Sequence, residues 1–310
     1  MSGTEREVVN VRVLIPFEGV DVPEGVSVEV FTGGTPARLD DVELYVPPYT
    51  LKPGDLSFLE RMPRLQVLQT LTAGYEHVLP YLPDGVTLCN AGGVHDASTA
   101  ELAVALALAS LRGIPAFTRA QDRGEWRSGF HPALADKTVL IVGYGSIGKA
   151  VERRLAGFEV DVLRLARHAR EGVSAVGDLP NLLPRADVVV LTVPLTDETY
   201  HLVDGAFLDR MREGALLVNV ARGKVVDTDA LLAALRAGRV TAGLDVTDPE
   251  PLPPDHPLWG APGCLISPHV GGPTSAFEPR ARGLVADQIA RFVRGEPLRN
   301  VVGASAAAAH

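Results

Sequence analysis

The sequence predicts an α/β protein of two parallel-sheet lobes, one inserted into the other. Short β-branched apolar runs alternate with helix-like segments along the chain, which is the pattern of a parallel sheet with crossover helices. A strand running into a glycine-rich turn and then a helix lies near the middle, at Gly143-Tyr-Gly145-Ser-Ile-Gly148. The amphipathic stretch Pro279 to Val293 comes after the second alternation and is expected to return to the first lobe, which otherwise lacks a closing element. At 310 residues the chain is long for one compact domain.

Taken in order, Val9 to Ile15 reads as a first strand, followed by Val26 to Phe31, Val42 to Val46, Val67 to Leu71 and Val86 to Cys89. Turn-rich or helix-like segments such as Ser57 to Arg61 separate them. Ala97 to Leu111 is a helix, with Asp96 or Ser98 placed to cap it and Gly113-Ile114-Pro115 to end it. After the connector Gly124 to Pro132, six more strands are expected: Thr138–Val142, Val160–Leu165, Val188–Thr192, Ala215–Val220, Ala242–Val246 and Leu265–Ser267. Helices fall between them, notably Ile147 to Leu155, Gly205 to Met211 and Thr228 to Ala237. Six strands in this order suit a complete dinucleotide-binding domain.

Composition narrows the function. An apolar fraction of 46% with 22% charged residues is that of a soluble globular protein. A net charge of −9 argues against a nucleic-acid surface and against an anionic membrane, so any anionic ligand is held by local groups. Cys89 and Cys264 stand alone, with no CxxC or Cys/His cluster, which predicts no metal site and no disulfide framework. Both read as small buried apolar residues of a reducing compartment. Met1 to Asn10 is polar and charged, and the longest apolar stretch, Leu102 to Leu111, falls far short of a bilayer span. A soluble cytoplasmic protein is expected. The Ala-rich tail, Ala304 to His310, has no core pattern.

Chemistry begins at the glycine turn. Gly143 permits a tight turn, Gly145 lets backbone approach a pyrophosphate, and Gly148 lets the helix pack against the strand. Ser146 and Ile147 open that helix, whose amino end offers N–H donors and a positive dipole. An NAD site usually carries Asp or Glu at the end of the second strand. Here the strand runs Leu163-Arg164-Leu165-Ala166-Arg167-His168-Ala169-Arg170, and Asp161 comes too early. Arg167, helped by Arg170 or Arg164, suits the 2′-phosphate of NADP through charge-assisted bonds. The alternative is a solvated basic loop. NADP is therefore the expected cofactor, ahead of NAD.

Three later segments put polar residues where strands should end: Val218 to Gly223, Gly243 to Val246 with Asp248-Pro-Glu250-Pro, and Ser267 to Gly272. Arg222 has the fork geometry for a substrate carboxylate. Hydride addition to a carbonyl builds charge on oxygen, which a protonated His269 can neutralise. Glu250 is the candidate carboxylate to orient that imidazole. Singly, these read as a surface cation, a helix-end cap and a loop charge; their shared placement after a dinucleotide motif changes the weighting.

At this point the sequence resembles the D-isomer-specific 2-hydroxyacid dehydrogenase family, especially its glyoxylate/hydroxypyruvate reductase-like members. The matching blocks are Leu71-Thr-Ala-Gly-Tyr-Glu-His-Val78, Cys89-Asn-Ala-Gly-Gly with Ala100-Glu101, the glycine turn, Val193-Pro194-Leu-Thr196, Asn219-Val220-Ala221-Arg222-Gly223, Leu244-Asp-Val-Thr-Asp-Pro-Glu-Pro251 and Ser267-Pro-His-Val-Gly271. The resemblance implies two Rossmann-like parallel-sheet domains. A flavodoxin-like substrate-binding domain (1–96 and 276–310) is interrupted by an NAD(P)-binding Rossmann domain (97–275). It implies that His269 is the acid/base, Glu250 its partner, and Arg222 the ligand of the substrate carboxylate and carbonyl. Ala73 and Gly74 would offer backbone N–H groups to that carboxylate from the other lobe, and lobe closure would exclude water. Val193, Pro194, Val220, Ala221, Asp245, His269 and Gly271 would line the cofactor, with Asp245 by the nicotinamide amide. It also implies a homodimer joined through the cofactor lobes, with Trp126 in the matching connector.

Two departures stand out. Tyr75 and Glu76 replace a small apolar residue and Asp, which limits carry-over there to backbone, and Ala166-Arg167 departs from the NAD pattern. Pocket shape is expected to depend on Leu51, Tyr75 and Trp126. The expected reaction is hydride transfer between NAD(P)H and a small 2-oxo acid such as glyoxylate or hydroxypyruvate. Two alternatives stay open: a non-catalytic dinucleotide-sensing corepressor-like protein, and a same-fold dehydrogenase of formate or phosphite. Formate enzymes typically carry Gln where Glu250 stands.

Overall fold

A computed structural model describes residues 11–49 and 56–302. Position 51, the start of the first predicted strand and the Ala-rich tail lie outside the described residues. By contacts the chain divides into two units. One runs from Asp96 to Thr274, and the other gathers the described residues up to His95 and from Ser275 onward.

The first unit in the chain is built on strands β1 (Val11–Ile15), β2 (Val26–Val30), β3 (Val42–Tyr45), β4 (Val67–Gln69) and β5 (Thr87–Cys89). They form a wholly parallel sheet in the order β2-β1-β3-β4-β5. Both faces of the central strands are covered, which is why their sequences are near-continuous apolar runs. On one face, Val13, Ile15, Leu44 and Val67 pack with Ala281, Val285 and Ile289 of the last helix. The closing element expected of Pro279 to Val293 is thus present, a little longer, as Phe277–Arg294.

In the second unit, α1 (Asp96–Leu111) begins one residue earlier than expected. Asp96 is therefore inside the first turn, where a carboxylate suits the helix dipole, and Ser98 is a buried helical residue rather than a cap. Gly113 does not simply stop the chain. It takes a left-handed conformation and launches α2 (Ile114–Gln121), with Pro115 in its first turn, where a proline costs nothing.

There follow β6 (Thr138–Val142), α3 (Ser146–Leu155), β7 (Asp161–Ala166), β8 (Ser174–Ala175), α4 (Leu179–Leu182), β9 (Val188–Leu191), α5 (Gly205–Arg210), β10 (Ala215–Asn219), α6 (Thr228–Arg236), β11 (Val240–Leu244) and β12 (Cys264–Ile266). The closing helix of the chain is α7 (Phe277–Arg294). The strands form a second parallel sheet, β12-β11-β10-β9-β6-β7-β8. It has one strand more than the six predicted, because β8 is only two residues long and carries no periodicity.

Apolar clusters cover both faces of this sheet. One is built around Leu140, Val189 and Leu217, the other around Ile141, Val190 and Leu216 with α1 and α3. Alternate residues of each strand point to opposite faces, so both sets must be apolar. In β11 a Cβ on Gly243 would sit 3.1 Å from Leu106 Cβ, so glycine there lets α1 lie close on the sheet.

Among the described residues no single helix is long and apolar enough to cross a membrane. α1 is a core helix packed on α3, β10 and β11. The two cysteines are free. Cys89 is buried as expected, whereas Cys264, near the sheet edge, is only partly so.

Candidate active site

The strand order of the second sheet turns back at β6 and β9, and open α/β sheets bind ligands at the carboxyl ends of strands beside such a switch point. Gly143 ends β6 with φ +104°, and a Cβ there would lie 2.7 Å from the Thr192 carbonyl carbon and the Val193 nitrogen. The loop after β9 can therefore press directly on the glycine turn, where Thr192 Oγ1 donates to the Gly143 carbonyl at 2.7 Å. A Cβ on Gly148 would come 2.6 Å from that same carbonyl oxygen. Gly145 is different: a Cβ there would meet nothing within 4 Å. Open space thus faces the amino end of α3, where unpaired N–H groups favour an anion. The turn fits a dinucleotide diphosphate.

Around that turn, Ser146 Oγ donates to Asp96 Oδ1 at 3.1 Å, and Ile147 packs against the core. Val193 leans on the other core face, and the Pro194 carbonyl accepts from Thr199 Oγ1 at 2.6 Å. Val220 and Ala221 are buried, so only their backbone is available to a ligand.

Ala166 ends β7, and Arg167 stands just beyond it, exposed, with a nitrogen 2.5 Å from Glu198 of the loop after β9. Arg170 donates to the Tyr144 carbonyl at 2.6 Å and lies over the Tyr144 ring. Arg164 does not join them. Its guanidinium is held by Glu152 of α3, which also accepts a hydrogen bond from the Tyr144 hydroxyl. The hydrogen bond from Arg164 holds the Glu152 carboxyl below the usual carboxylate range. Arg164 is a mid-strand residue facing α3, so the sequence expectation that it assists Arg167 is corrected.

The three later loops are tied together. Asn219 is buried at the end of β10; its amide donates to the Arg222 carbonyl and its oxygen accepts from Ala221 N, both at 3.0 Å. This folds Asn219 to Gly223 into a fixed loop that presents Arg222. The Arg222 guanidinium donates to the Ala221 carbonyl at 2.7 Å and has no carboxylate partner among the described residues. A Cβ at Gly223 would fall 1.9 Å from the Thr247 carbonyl oxygen, so only glycine lets this loop meet the one carrying Glu250.

His269 Nδ1 lies 2.6 Å from Glu250 Oε1, with side chains 31% and 38% exposed. His269 has φ +55°, a conformation uncommon outside glycine. Its backbone N–H donates to the Asp245 and Ser267 carbonyls at 2.8 and 3.1 Å. The Asp245 side chain, 3% exposed, accepts from Ser267 Oγ at 2.7 Å and from the Val270 and Gly271 amides at 2.9 Å each. A Cβ on Gly271 would be 3.0 Å from Asp245 Oδ2, and Thr99 of α1 donates to the Gly271 carbonyl. Asp245 is thus a clamp on the histidine loop. Asp245 is legible in the sequence as a cofactor neighbour, whereas the support that Ser267 gives it and the hold of Thr99 on Gly271 are not, because those bonds are tertiary. Glu198 is not legible there either.

In the other unit, Ala73 and Gly74 follow β4. Their carbonyls are taken, by Asn90 Nδ2 at 2.7 Å and Thr72 Oγ1 at 2.6 Å, while their amides make no bond among the described residues. Tyr75 packs partly buried against the core of that unit.

Comparison with known proteins agrees with this chemistry. The family model for the D-isomer specific 2-hydroxyacid dehydrogenase, NAD binding domain, matches residues 104–271. A glyoxylate reductase of Korarchaeum cryptofilum is 37% identical over 265 residues, covering 81% of this chain and 80% of the relative. A glyoxylate/hydroxypyruvate reductase B of Pectobacterium carotovorum is 36% identical over 262 residues, covering 80% and 82%. The crystal structure of an NADPH-dependent glyoxylate/hydroxypyruvate reductase from Sinorhizobium meliloti, in complex with NADP and sulfate, superposes with a TM-score of 0.81 at 28% identity, covering 94% of this chain and 98% of the other. With a strand-turn-helix dinucleotide site and a His–Glu pair on one sheet edge, the chain belongs to the D-isomer specific 2-hydroxyacid dehydrogenases, oxidoreductases that use NAD(P).

Proposed function

We propose that the enzyme reduces a small 2-oxo acid, glyoxylate or hydroxypyruvate, to the D-2-hydroxy acid, with NADPH preferred over NADH. The observation that carries the reading is the 2.6 Å contact of His269 Nδ1 with Glu250 on the loop edge of the sheet that holds the glycine turn. A carboxylate at that distance takes the hydrogen bond from Nδ1–H, which leaves Nε2 as the nitrogen that exchanges a proton with substrate. When bound, NAD(P)H supplies the hydride that adds to the 2-carbon of the oxo acid. His269 gives its Nε2 proton to the carbonyl oxygen as charge builds there, and Glu250 holds the ring in place through Nδ1. In the reverse direction the neutral imidazole takes the hydroxyl proton.

Arg222, with no carboxylate partner among the described residues, binds the substrate carboxylate and polarises the carbonyl. The family resemblance implies the Ala73 and Gly74 amides as further donors for that anion. Asp245 fixes the His269 loop. Arg167 takes the 2′-phosphate of NADPH, since no acidic residue ends β7 to accept from a ribose hydroxyl. The two unpaired thiols fit a reducing compartment, the cytoplasm. The exposed aromatics of the 124–133 connector, Trp126 and Phe130, support a homodimer.

The test is to follow NADPH and NADH oxidation against a panel of 2-oxo acids, formate and phosphite included, for the wild type and His269→Ala. Glyoxylate or hydroxypyruvate should be reduced, faster with NADPH. H269A should lose about 10²–10⁴-fold in turnover while still binding cofactor. Wild-type turnover in H269A would defeat the assignment. Inertness across the panel together with a stable protein partner would point to a corepressor-like sensor.

A further inference from the structure

Resting on the reading of Arg167 as the 2′-phosphate ligand, we propose that Glu198 sets the ratio of NADPH to NADH affinity, as an internal counter-ion that competes with the 2′-phosphate for Arg167. The sheet order places β6 between β7 and β9. Arg167 follows β7 and Glu198 belongs to the loop after β9, so their 2.5 Å contact reaches from one flank of the β6 glycine turn to the other. Both flanks are fixed to that turn. The Gly143 and Tyr144 amides donate to the Leu165 carbonyl at 2.9 Å each, and Thr192 Oγ1 donates to the Gly143 carbonyl.

The Glu198 backbone lies in a braced turn. Thr199 Oγ1 accepts from Thr196 N at 2.8 Å and donates to the Pro194 carbonyl, so the carboxylate is presented from a defined position. Arg170, the other cation at this edge, is committed to the Tyr144 carbonyl and ring, and Arg164 to Glu152. Arg167 is thus the guanidinium whose only ion-pair partner among the described residues is an exposed, displaceable carboxylate.

The Nη2–H that Arg167 donates to Glu198 cannot at the same time be offered to a phosphate. Binding of NADPH therefore exchanges the Glu198 contact for the phosphate contact, whereas NADH, with a ribose hydroxyl at that position, leaves the pair in place. Because the side chains are 69% and 62% exposed, the pair is weak, equivalent to a factor of about two to five in an equilibrium.

The experiment measures NADPH and NADH dissociation constants, by coenzyme fluorescence and by calorimetry, for wild type, Glu198→Gln, Arg167→Ala and the double variant. Both residues are on the surface, and a thermal melt checks that each variant is folded. E198Q should raise the preference for NADPH over NADH about two- to fivefold, R167A should lower it, and the double variant should match R167A. An unchanged ratio in E198Q, with R167A still selective against NADPH, overturns the role of Glu198 alone. A rise of equal size when Arg167 is absent also overturns it, because the carboxylate would then act by direct repulsion. If R167A leaves the ratio unchanged, the NADPH reading itself falls and this proposal with it.

Discussion

The role proposed for His269 as proton donor requires that something hold its backbone at φ +55°, since a left-handed residue with a side chain is intrinsically disfavoured. The buried Asp245 carboxylate does this with three accepted hydrogen bonds, from one side-chain hydroxyl and two consecutive amides. Three donors converge on two oxygens, so an amide in that place would turn one NH2 group toward another donor. Asp245→Asn should therefore loosen the loop without removing any group that touches substrate. We expect turnover to fall on the order of 10²-fold, as for a misplacement of about 1 Å, with cofactor affinity reduced much less. Steady-state kinetics with a parallel coenzyme titration checks this. Equal losses in both would instead mark Asp245 as a direct cofactor ligand, the role that the family resemblance suggested from sequence.

Two glycines of one turn make separable demands on the element that carries them. A Cβ on Gly148 collides with backbone, whereas one on Gly145 enters open space at an unstrained φ of −88°. Gly145→Ala should leave the melting temperature nearly unchanged yet weaken NADPH more than tenfold, because the methyl group occupies the room that a diphosphate needs. Gly148→Ala should cost about 1–3 kcal/mol through overpacking, on the order of 5 °C in a thermal melt, and weaken the cofactor as well. Equal melting curves for the two variants would refute the distinction.

The same element is strapped to its neighbour strand by Glu152 of α3 and Arg164 of β7. The folded carboxyl titrates below its ordinary value, chiefly through the Arg164 hydrogen bond. Its stabilisation is then complete above the unfolded carboxylate value and is lost as pH falls through the folded one. Glu152→Gln should be less stable than wild type by about 1 kcal/mol at neutral pH, and the two should converge in acid, as read by denaturant titration at several pH values. A gap that persists in acid would assign the loss to packing instead.

At the scale of the whole molecule, what was legible in the sequence were features written in local order. Strands buried on both faces are continuous apolar runs, so β1, β6, β9 and β10 were found to within a residue or two at either end among the described residues. A glycine turn announces itself by spacing. The Arg222, Glu250 and His269 loops were legible because polar residues interrupt those runs where strands must end. What was not legible depends on distant partners or on very short elements. β8 is too short to show a period, α2 is capped by the same glycine that ends α1 in the sequence pattern, and Glu198 gains meaning only from Arg167, 31 residues earlier.

The connector from 124 to 133 belongs with these. It has almost no regular structure, yet it is anchored, at its start by the Glu125 amide on the Ala120 carbonyl and near its end by His131. Gly113 lets the His131 ring approach within 2.6 Å of where a Cβ would lie, and Phe117 meets that ring edge-on at 5.0 Å. Between these anchors it displays Trp126, 97% exposed, and Phe130, wholly exposed. Two large aromatics held in water on an anchored segment are costly unless a partner covers them, and aromatic anchors of this kind dominate binding at interfaces. A second copy of the chain is the partner we propose. Light scattering across a dilution series should give twice the chain mass for wild type, and Trp126→Ala with Phe130→Ala should shift it to the monomer at micromolar concentration with 2-oxo acid reduction still measurable. A wild-type monomer at every concentration, or a double variant that remains dimeric, would place the interface elsewhere.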